Sequence, residues 1–111
     1  MGYAQLAERR YTQRKDLNGK VPGEFQIAGV HSPIECRALD VSEKGVGIVS
    51  QHFMSPGTKV QFKSIDREID LEVVWRQDDI DHPQTYFYGL VVLDDLDIEK
   101  IFQETGCIES S

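Results

Sequence analysis

The sequence predicts a mainly β fold, a six-stranded antiparallel β-barrel with a C-terminal α-helix. Short runs of alternating or β-branched residues recur along the chain, and the links between them are short and rich in turn-forming residues. With 111 residues, 40% of them hydrophobic, the chain has the size of one globular domain. Because strands of this number would leave open edges, we expect the sheet to close into a small barrel.

Six segments carry the strand pattern: residues 24–28, 34–42, 46–51, 59–65, 69–76 and 85–93. In the clearest, 69–76, Ile69, Leu71 and Val73 share one face because strand side chains alternate. The same alternation places Trp75 with them on the core face and Arg76 on the opposite, solvated face. The short links favour antiparallel neighbours over crossover helices.

A single helical pattern follows the last strand, over about residues 95–105. Carboxylates at positions 94, 95 and 97 suit a helix N-terminus. Ile98, Ile101 and Phe102 then follow at helical spacing, and Gly106 offers a stop. We expect the three apolar side chains to close one end of the barrel.

Charge divides the chain into an arm and a body. Residues 1–20 hold five basic and two acidic side chains, a net charge of +3, which leaves −10 on residues 21–111. An acidic body argues against coating nucleic acid, whereas a short basic arm suits one compact anion, or is simply a solubilising tail. The predicted organisation is a flexible arm over residues 1–20, a barrel with its helix over 21–106 and a tail over 107–111.

Other classes of function find little support in the sequence. Cys36 and Cys107 form no paired motif, and His31, His52 and His82 lack the spacing of metal ligands. No nucleophile elbow, phosphate-binding loop or dinucleotide fingerprint occurs, so we expect neither an enzyme nor a metal site. With no apolar run of membrane-spanning length and no signal peptide, we expect a cytoplasmic protein without membrane insertion.

The first motif with chemical potential lies in the arm. Arg10 and Arg14 are four residues apart, with Arg9 adjacent, so in a helical turn both guanidinium groups project from one face. Arginine binds phosphate oxygens bidentately and donates to the O6 and N7 edge of guanine, so the pair suits a guanine nucleotide. The alternative is an exposed, charged helix end.

The second motif is Asp40-Val-Ser42-Glu-Lys-Gly45. Asp40 and Ser42 share a strand face, where the carboxylate can accept from guanine N1 and N2 and the hydroxyl can donate to a phosphate. Gly45 can adopt the positive φ that a tight turn would require. The alternative is a polar hairpin in which Asp40 and Ser42 bond backbone amides.

Together the motifs resemble the (R)RxxxR and (D/N)xSxxG signatures of the PilZ domain family of bacterial cyclic di-GMP receptors. Both signatures are complete, Val73-Val-Trp75 and Tyr88-Gly-Leu90 add similarity, and the resemblance spans nearly the whole chain. It implies a six-stranded barrel with a C-terminal helix, whose outer surface binds cyclic di-GMP when the arm folds over it.

The resemblance also implies roles for individual residues. Arg10 and Arg14 would hold phosphates and guanine edges, Asp40 and Ser42 a guanine and the ligand backbone, and Gly45 would shape the turn. An arginine at the position of Arg9 is associated in the family with binding a stacked pair of ligands. In some members a tryptophan near Trp75 stacks on a guanine, which competes with the core position that alternation assigns to it.

The expected function is therefore that of a cyclic di-GMP receptor without catalytic activity or cofactor. Ligand binding would order the arm and signal to a protein partner, with the chain a monomer or a ligand-bridged dimer. The alternative is a PilZ-like interaction module that binds no nucleotide, although such members usually lack the arginines present here. We expect no DNA or RNA partner.

Overall fold

The structure, a computed structural model, describes residues 15–17, 21, 23–65 and 67–104. Within these ranges the elements are β1 (Lys15–Asp16), β2 (Gly23–Ile27), β3 (Cys36–Ser42), β4 (Gly45–Ser50), β5 (Lys59–Ser64), β6 (Glu68–Asp78), β7 (Tyr86–Val92) and α1 (Ile98–Glu104). The predicted fold is confirmed: the six expected strands and the helix are present, and the two-residue β1 is an addition. Arg9, Arg10 and Arg14 lie outside the described residues, as do most of the predicted arm and the tail.

The strands form one antiparallel sheet in the order β1-β3-β4-β7-β6-β5-β2, curled into a half-barrel. Just before β3, the chain passes beside β2, which is an edge strand of the sheet. There the amide of Ile34 donates to the carbonyl oxygen of Phe25 on β2 at 2.7 Å. The two edges of the sheet therefore approach each other, and the concave face encloses a core.

Apolar rows across the concave face make up that core. One row joins Val41, Val46, Leu90 and Val73 across β3, β4, β7 and β6, and each of these side chains is at most 2% exposed. Helix α1 covers the core with Ile98 and Phe102, both fully buried. The Phe102 ring packs against Phe62 with 5.4 Å between ring centroids. Burial of such side chains is the main driving force for folding.

Tyr88 brings a polar group into this core. Its hydroxyl donates to the carbonyl oxygen of His52 at 2.6 Å and accepts the amide of Met54 at 2.8 Å. Burial raises the pKa of Tyr88 and so favours the protonated hydroxyl that donates to His52. Both bonds fix the segment after β4 to the barrel wall.

Alternation predicted that Arg76 lies on a solvated outer face, and this prediction is wrong. It pairs with the inward-facing Tyr88 near the open end of the barrel. Its guanidinium lies 4.4 Å from the ring centroid of Phe53, and Nε is 3.7 Å from Asp78 Oδ1. The side chain is 28% exposed, so it packs as an aromatic-stacked cation at the barrel rim.

Candidate functional site

A cleft of about 430 Å³ lies on the convex face of the sheet, over β3, β4, β7 and β6. One cross-strand row runs along its floor. Asp40 is opposite Gly47, Gly47 is opposite Gly89, and Gly89 is opposite Trp75. We call Asp40, Gly47, Gly89 and Trp75 the central row. Its two ends carry a carboxylate and an indole, and the two positions between them have no side chain.

Residues on both sides of the central row complete the cleft. Ser42, Lys44 and Val91 line it near the β3–β4 hairpin, and Phe87 lines it on the opposite side. The lining thus combines an acid, a cation, a hydroxyl and two aromatic rings. Such a set suits a ligand with flat rings, hydrogen-bond donors and negative charge.

Trp75 faces this cleft and not the core, so the prediction from alternation is wrong. Val73 pairs with Leu90 and Trp75 pairs with Gly89, which leaves Val74 as an extra residue between them. Such a β-bulge shifts the alternation by one residue, and bulges often redirect a side chain next to a functional site. Val73 is fully buried, whereas Trp75 is only partly buried and lines the cleft.

The indole lies flat over Gly89. A Cβ built on Gly89 would be 2.7 Å from Trp75 Cδ1 and closer still to Nε1 and Cε2, three consecutive atoms of the five-membered ring. Since all three are close, the ring covers the glycine with a face and not an edge. Trp75 also lines the cleft, and an aromatic ring in such a position can stack on a flat ligand.

Asp40 has a similar relationship with Gly47. A Cβ on Gly47 would be 2.6 Å from Asp40 Oδ1, so the carboxylate lies over the bare backbone of β4. A second bulge, at Leu39, precedes Asp40: Ala38 pairs with Ile48 and Asp40 with Gly47. Ala38 is buried toward the core, and Asp40 is directed to the cleft.

Gly45 does not adopt the positive φ that the sequence suggested. Positive φ occurs at Gly29, Gly57 and Gln84 within the described ranges. A Cβ on Gly45 would instead be 2.7 Å from the carbonyl oxygen of Leu90. The glycine is therefore required by the close approach of β4 and β7, not by the turn.

Ser42 lies deeper than a freely exposed ligand contact. Its side chain is 4% exposed, and its hydroxyl donates to the carbonyl oxygen of Gly45 across the hairpin in a long bond of 3.5 Å. Ser42 thus lines the cleft while remaining part of the hairpin that closes it. The hydroxyl therefore bonds the backbone of its own hairpin, with a carbonyl oxygen and not an amide as partner, and its contact with a ligand stays a prediction.

Strand β1 brings the arm to the second motif. Asp16 pairs with Asp40 and Lys15 with Val41, and the amide of Leu17 donates to the carbonyl oxygen of Leu39 at 3.1 Å. Arg14 directly precedes Lys15 in the sequence. The strand that follows the first motif in the sequence therefore lies beside the Asp40 end of the central row.

The hairpin of the second motif is also tied to the segment that enters α1. The carbonyl oxygens of Glu43 and Lys44 accept the amides of Ile98 and Val92, at 3.1 and 2.8 Å. Lys44 Nζ donates to the carbonyl oxygen of Leu96 at 3.3 Å and lies 3.6 Å from Asp95 Oδ1. A change in the hairpin would therefore act directly on the start of the helix.

The cleft residues that were not predicted from the sequence include Gly47, Gly89, Lys44 and Phe87. The two glycines did carry a signal, because glycine inside a strand often marks a site where another group approaches the backbone closely. Nothing in the local pattern distinguished Lys44 or Phe87 from ordinary surface and core residues. Their role follows from strand register.

The chain belongs to the PilZ domain family. The family profile described as "PilZ domain" matches residues 8–104, a range that includes both motifs and the entire described sheet. Comparisons with curated proteins and with solved structures found no significant match. PilZ domains are in general binding modules of the type that binds cyclic di-GMP.

Neither a metal-binding cluster nor a membrane-spanning helix occurs in the described part of the chain. No group of three or more His, Cys, Asp or Glu side chains in these ranges is placed to hold a metal ion. The only helix found there, α1, is too short to cross a membrane.

Proposed function

We propose that this protein is a receptor for cyclic di-GMP that orders its N-terminal arm on ligand binding and signals to a protein partner. One observation carries the proposal: Asp40 of the second family motif and Trp75 face one cleft across two bare glycines. The arrangement offers an acceptor for guanine at one end and a stacking surface at the other. No catalytic step and no cofactor are needed for this role.

The two ends of the central row would recognise one guanine. Stacking of a base on an aromatic side chain contributes about 1–3 kcal/mol, which assigns Trp75 a large share of the affinity. The carboxylate of Asp40 accepts hydrogen bonds from guanine N1 and N2, groups that adenine does not present in this pattern. Ser42 would contact the ligand backbone, and Gly45 allows the strand approach that holds the hairpin in place.

The arm would supply the positive charge that the body lacks. Cyclic di-GMP carries two phosphates, while residues 21–111 have a net charge of −10. Arg10 and Arg14 would bind phosphates and guanine edges through charge-assisted hydrogen bonds. The β1 register supports this assignment, because β1 begins one residue after Arg14 and ends at Asp16, which pairs with Asp40. Arg9 would contact a second, stacked ligand.

Signalling would pass through the hairpin of the second motif. The loop residues Glu43 and Lys44 bond the segment before α1, so a ligand that moves the hairpin also moves that segment. Together with the ordered arm, this would present an altered surface to a partner.

Isothermal titration calorimetry with cyclic di-GMP tests the proposal, with GTP and the linear dinucleotide as competing ligands. We expect saturable binding of the cyclic form alone, at a Kd of about 1 µM or lower. Replacing Arg14 by Ala should cost about 1.5–3 kcal/mol, the scale of a hydrogen bond to a charged group. Arg67→Ala, which removes an equal charge from the β5–β6 turn, is the matched control and should bind as the unmodified protein does.

The stoichiometry and the mass in solution complete the test. Two ligands per chain would support the role of Arg9, and light scattering with ligand would distinguish a monomer from a ligand-bridged dimer. No heat at about 100 µM ligand, from protein with a normal thermal transition, would overturn the proposal and favour the interaction module that binds no nucleotide.

A further inference from the structure

We propose that Gly89 is a positioning residue whose bare backbone seats the Trp75 indole flat, so that the ring forms a preorganised stacking platform. The inference deepens the proposed function and, for its effect on affinity, rests on it. Trp75 itself would contact the ligand. Gly89 would act only through Trp75.

The register of β7 places Gly89 on the outward face of the sheet. Tyr88 and Leu90 point into the core, so Phe87, Gly89 and Val91 are the outward positions of this strand segment. Gly89 is the one among these three that lacks a side chain, and it lies directly opposite Trp75. An aromatic ring laid over a cross-strand glycine covers backbone that would otherwise be exposed.

Gly89 has no other evident reason to be glycine. It is not among the described residues with positive φ. At Gly23 and Gly45 the nearest obstacle to a Cβ is a backbone carbonyl, of Lys63 and Leu90 respectively, so these glycines set strand spacing. At Gly89 the three nearest atoms all belong to the Trp75 side chain.

A seated indole also favours ligand binding energetically. A ring held against the sheet has already lost rotamer freedom, so a ligand that stacks on it does not have to order it. A methyl group at position 89 would occupy the place of the five-membered ring. Because a side chain and not backbone stands in the way, the indole would turn outward while the sheet kept its pairing.

Gly47 provides an internal comparison. Its Cβ would meet Asp40 Oδ1 and then the other carboxylate atoms of Asp40, with no Trp75 atom among its three nearest neighbours. Gly47→Ala should therefore disturb the acid end of the central row and leave the indole in place. Gly89→Ala should displace the indole and leave the acid end of the central row in place.

Trp75 is the only tryptophan of the chain, so its fluorescence reports the seat directly. Without ligand, we expect Gly89→Ala to shift the emission to longer wavelength and to increase quenching by acrylamide. Gly47→Ala should change neither. If the Gly89→Ala variant has a normal thermal transition and its emission matches that of the unmodified protein, the proposal that Gly89 positions the indole is overturned.

Titration with cyclic di-GMP tests the consequence for binding. Gly89→Ala should bind at least about tenfold more weakly, which corresponds to the lower part of the range for one base–aromatic stack. In a Trp75→Phe background the same substitution should have a clearly smaller effect, because the indole that Gly89 positions is absent. This double-mutant cycle isolates the coupling between Gly89 and Trp75. Equal losses in both backgrounds would overturn the positioning role.

Two measurements keep the outcomes separate. If the unmodified protein does not bind cyclic di-GMP, the proposed function fails, while the ligand-free emission still decides whether Gly89 seats the ring. If Gly89→Ala does not fold, time-resolved anisotropy of the unmodified protein decides. A seated indole should tumble with the whole domain, and a dominant fast local component would contradict the seat.

Discussion

Asp40 and Trp75 lie at opposite ends of one cross-strand row, and each is the first paired residue after a β-bulge. Leu39 is the extra residue before Asp40, and Val74 is the extra residue before Trp75. Each bulge turns outward a side chain that simple alternation would place on the same face as the buried residue two positions earlier. Each of the two chemically distinct ends of the cleft therefore depends on a β-bulge of its own.

Deletion of Val74 should leave the cleft intact. The shortened strand would pair Val73 with Leu90 and Trp75 with Gly89 in a regular ladder, so both residues keep their faces. We expect a cooperative thermal transition and Trp75 emission close to that of the unmodified protein. Deletion of Leu71, a fully buried residue of the same strand with no bulge beside it to absorb the change, is the control and should abolish cooperative unfolding. A collapsed Val74 deletion would contradict the assigned register.

Replacing Trp75 by Ala should separate binding from stability. The indole lies on the convex face, so its loss should lower affinity for cyclic di-GMP by about 1–3 kcal/mol while lowering the free energy of unfolding only slightly. Leu71→Ala, at a fully buried position of the same strand, should lower the free energy of unfolding by about 2–5 kcal/mol. Urea denaturation and calorimetry measure the two quantities. If Trp75→Ala lowered the free energy of unfolding more than Leu71→Ala does, Trp75 would have to be assigned to the core.

Lys44 should contribute to binding of an anion. Its side chain lines the cleft and also approaches Asp95, and both side chains are largely exposed. Lys44→Gln should weaken cyclic di-GMP binding severalfold and make it less sensitive to salt, because one cation is lost from the site. Asp95→Asn removes the ion pair but keeps the cation, so it should not weaken binding. Equal weakening by both changes would assign the effect to the hairpin and not to the ligand.

Tyr88→Phe should destabilise the fold without altering the cleft chemistry. The substitution leaves the carbonyl oxygen of His52 and the amide of Met54 without their common partner. We expect a loss of about 1–3 kcal/mol in the free energy of unfolding, the cost of unsatisfied buried groups. Affinity for the ligand, measured well below the transition temperature, should stay within about twofold, since Tyr88 points into the core.

The thiol of Cys36 should react slowly with alkylating reagents. Burial raises the pKa of Cys36 from 9.0 to about 11, so near pH 9 only about 1% is thiolate, against half for an ordinary cysteine. Iodoacetamide should therefore modify Cys36 about fifty-fold more slowly in the folded protein than in urea. A Cys107→Ser variant confines the reaction to Cys36. Equal rates in both states would contradict the burial of this thiol.

The same shift has a defined effect on stability. The unfolded chain loses the Cys36 proton near pH 9.0, while the folded chain keeps it up to about pH 11. The contribution of Cys36 to the free energy of unfolding is therefore constant below pH 9 and decreases as the pH rises through this window. Cys36→Ala should remove this part of the pH dependence, as urea titrations of both proteins would measure.

Much of the fold follows from local pattern, and much of the site follows from two motifs. The alternation of Ile69, Leu71 and Val73 and the helical spacing of Ile98 and Phe102 correctly predicted buried faces. The bulges at Leu39 and Val74 could not be predicted, because they are set by pairing across strands that are distant in sequence. For the same reason, the positions of Trp75 and Arg76 and the close approach at Gly45 became evident only from the sheet. The roles of Arg9, Arg10 and Arg14 stay predictions.

The seam between β4 and β7 joins the paired strands with the widest separation along the chain, and the cleft lies directly across it. Asp40 and Gly47 come from one hairpin, whereas Gly89 and Trp75 come from another. Each hairpin can form locally, but the cleft exists only after the two hairpins have paired along β4 and β7, a long-range contact of the kind that slows folding. Under the proposed function, a bound ligand would contact both hairpins and so stabilise their association against unfolding.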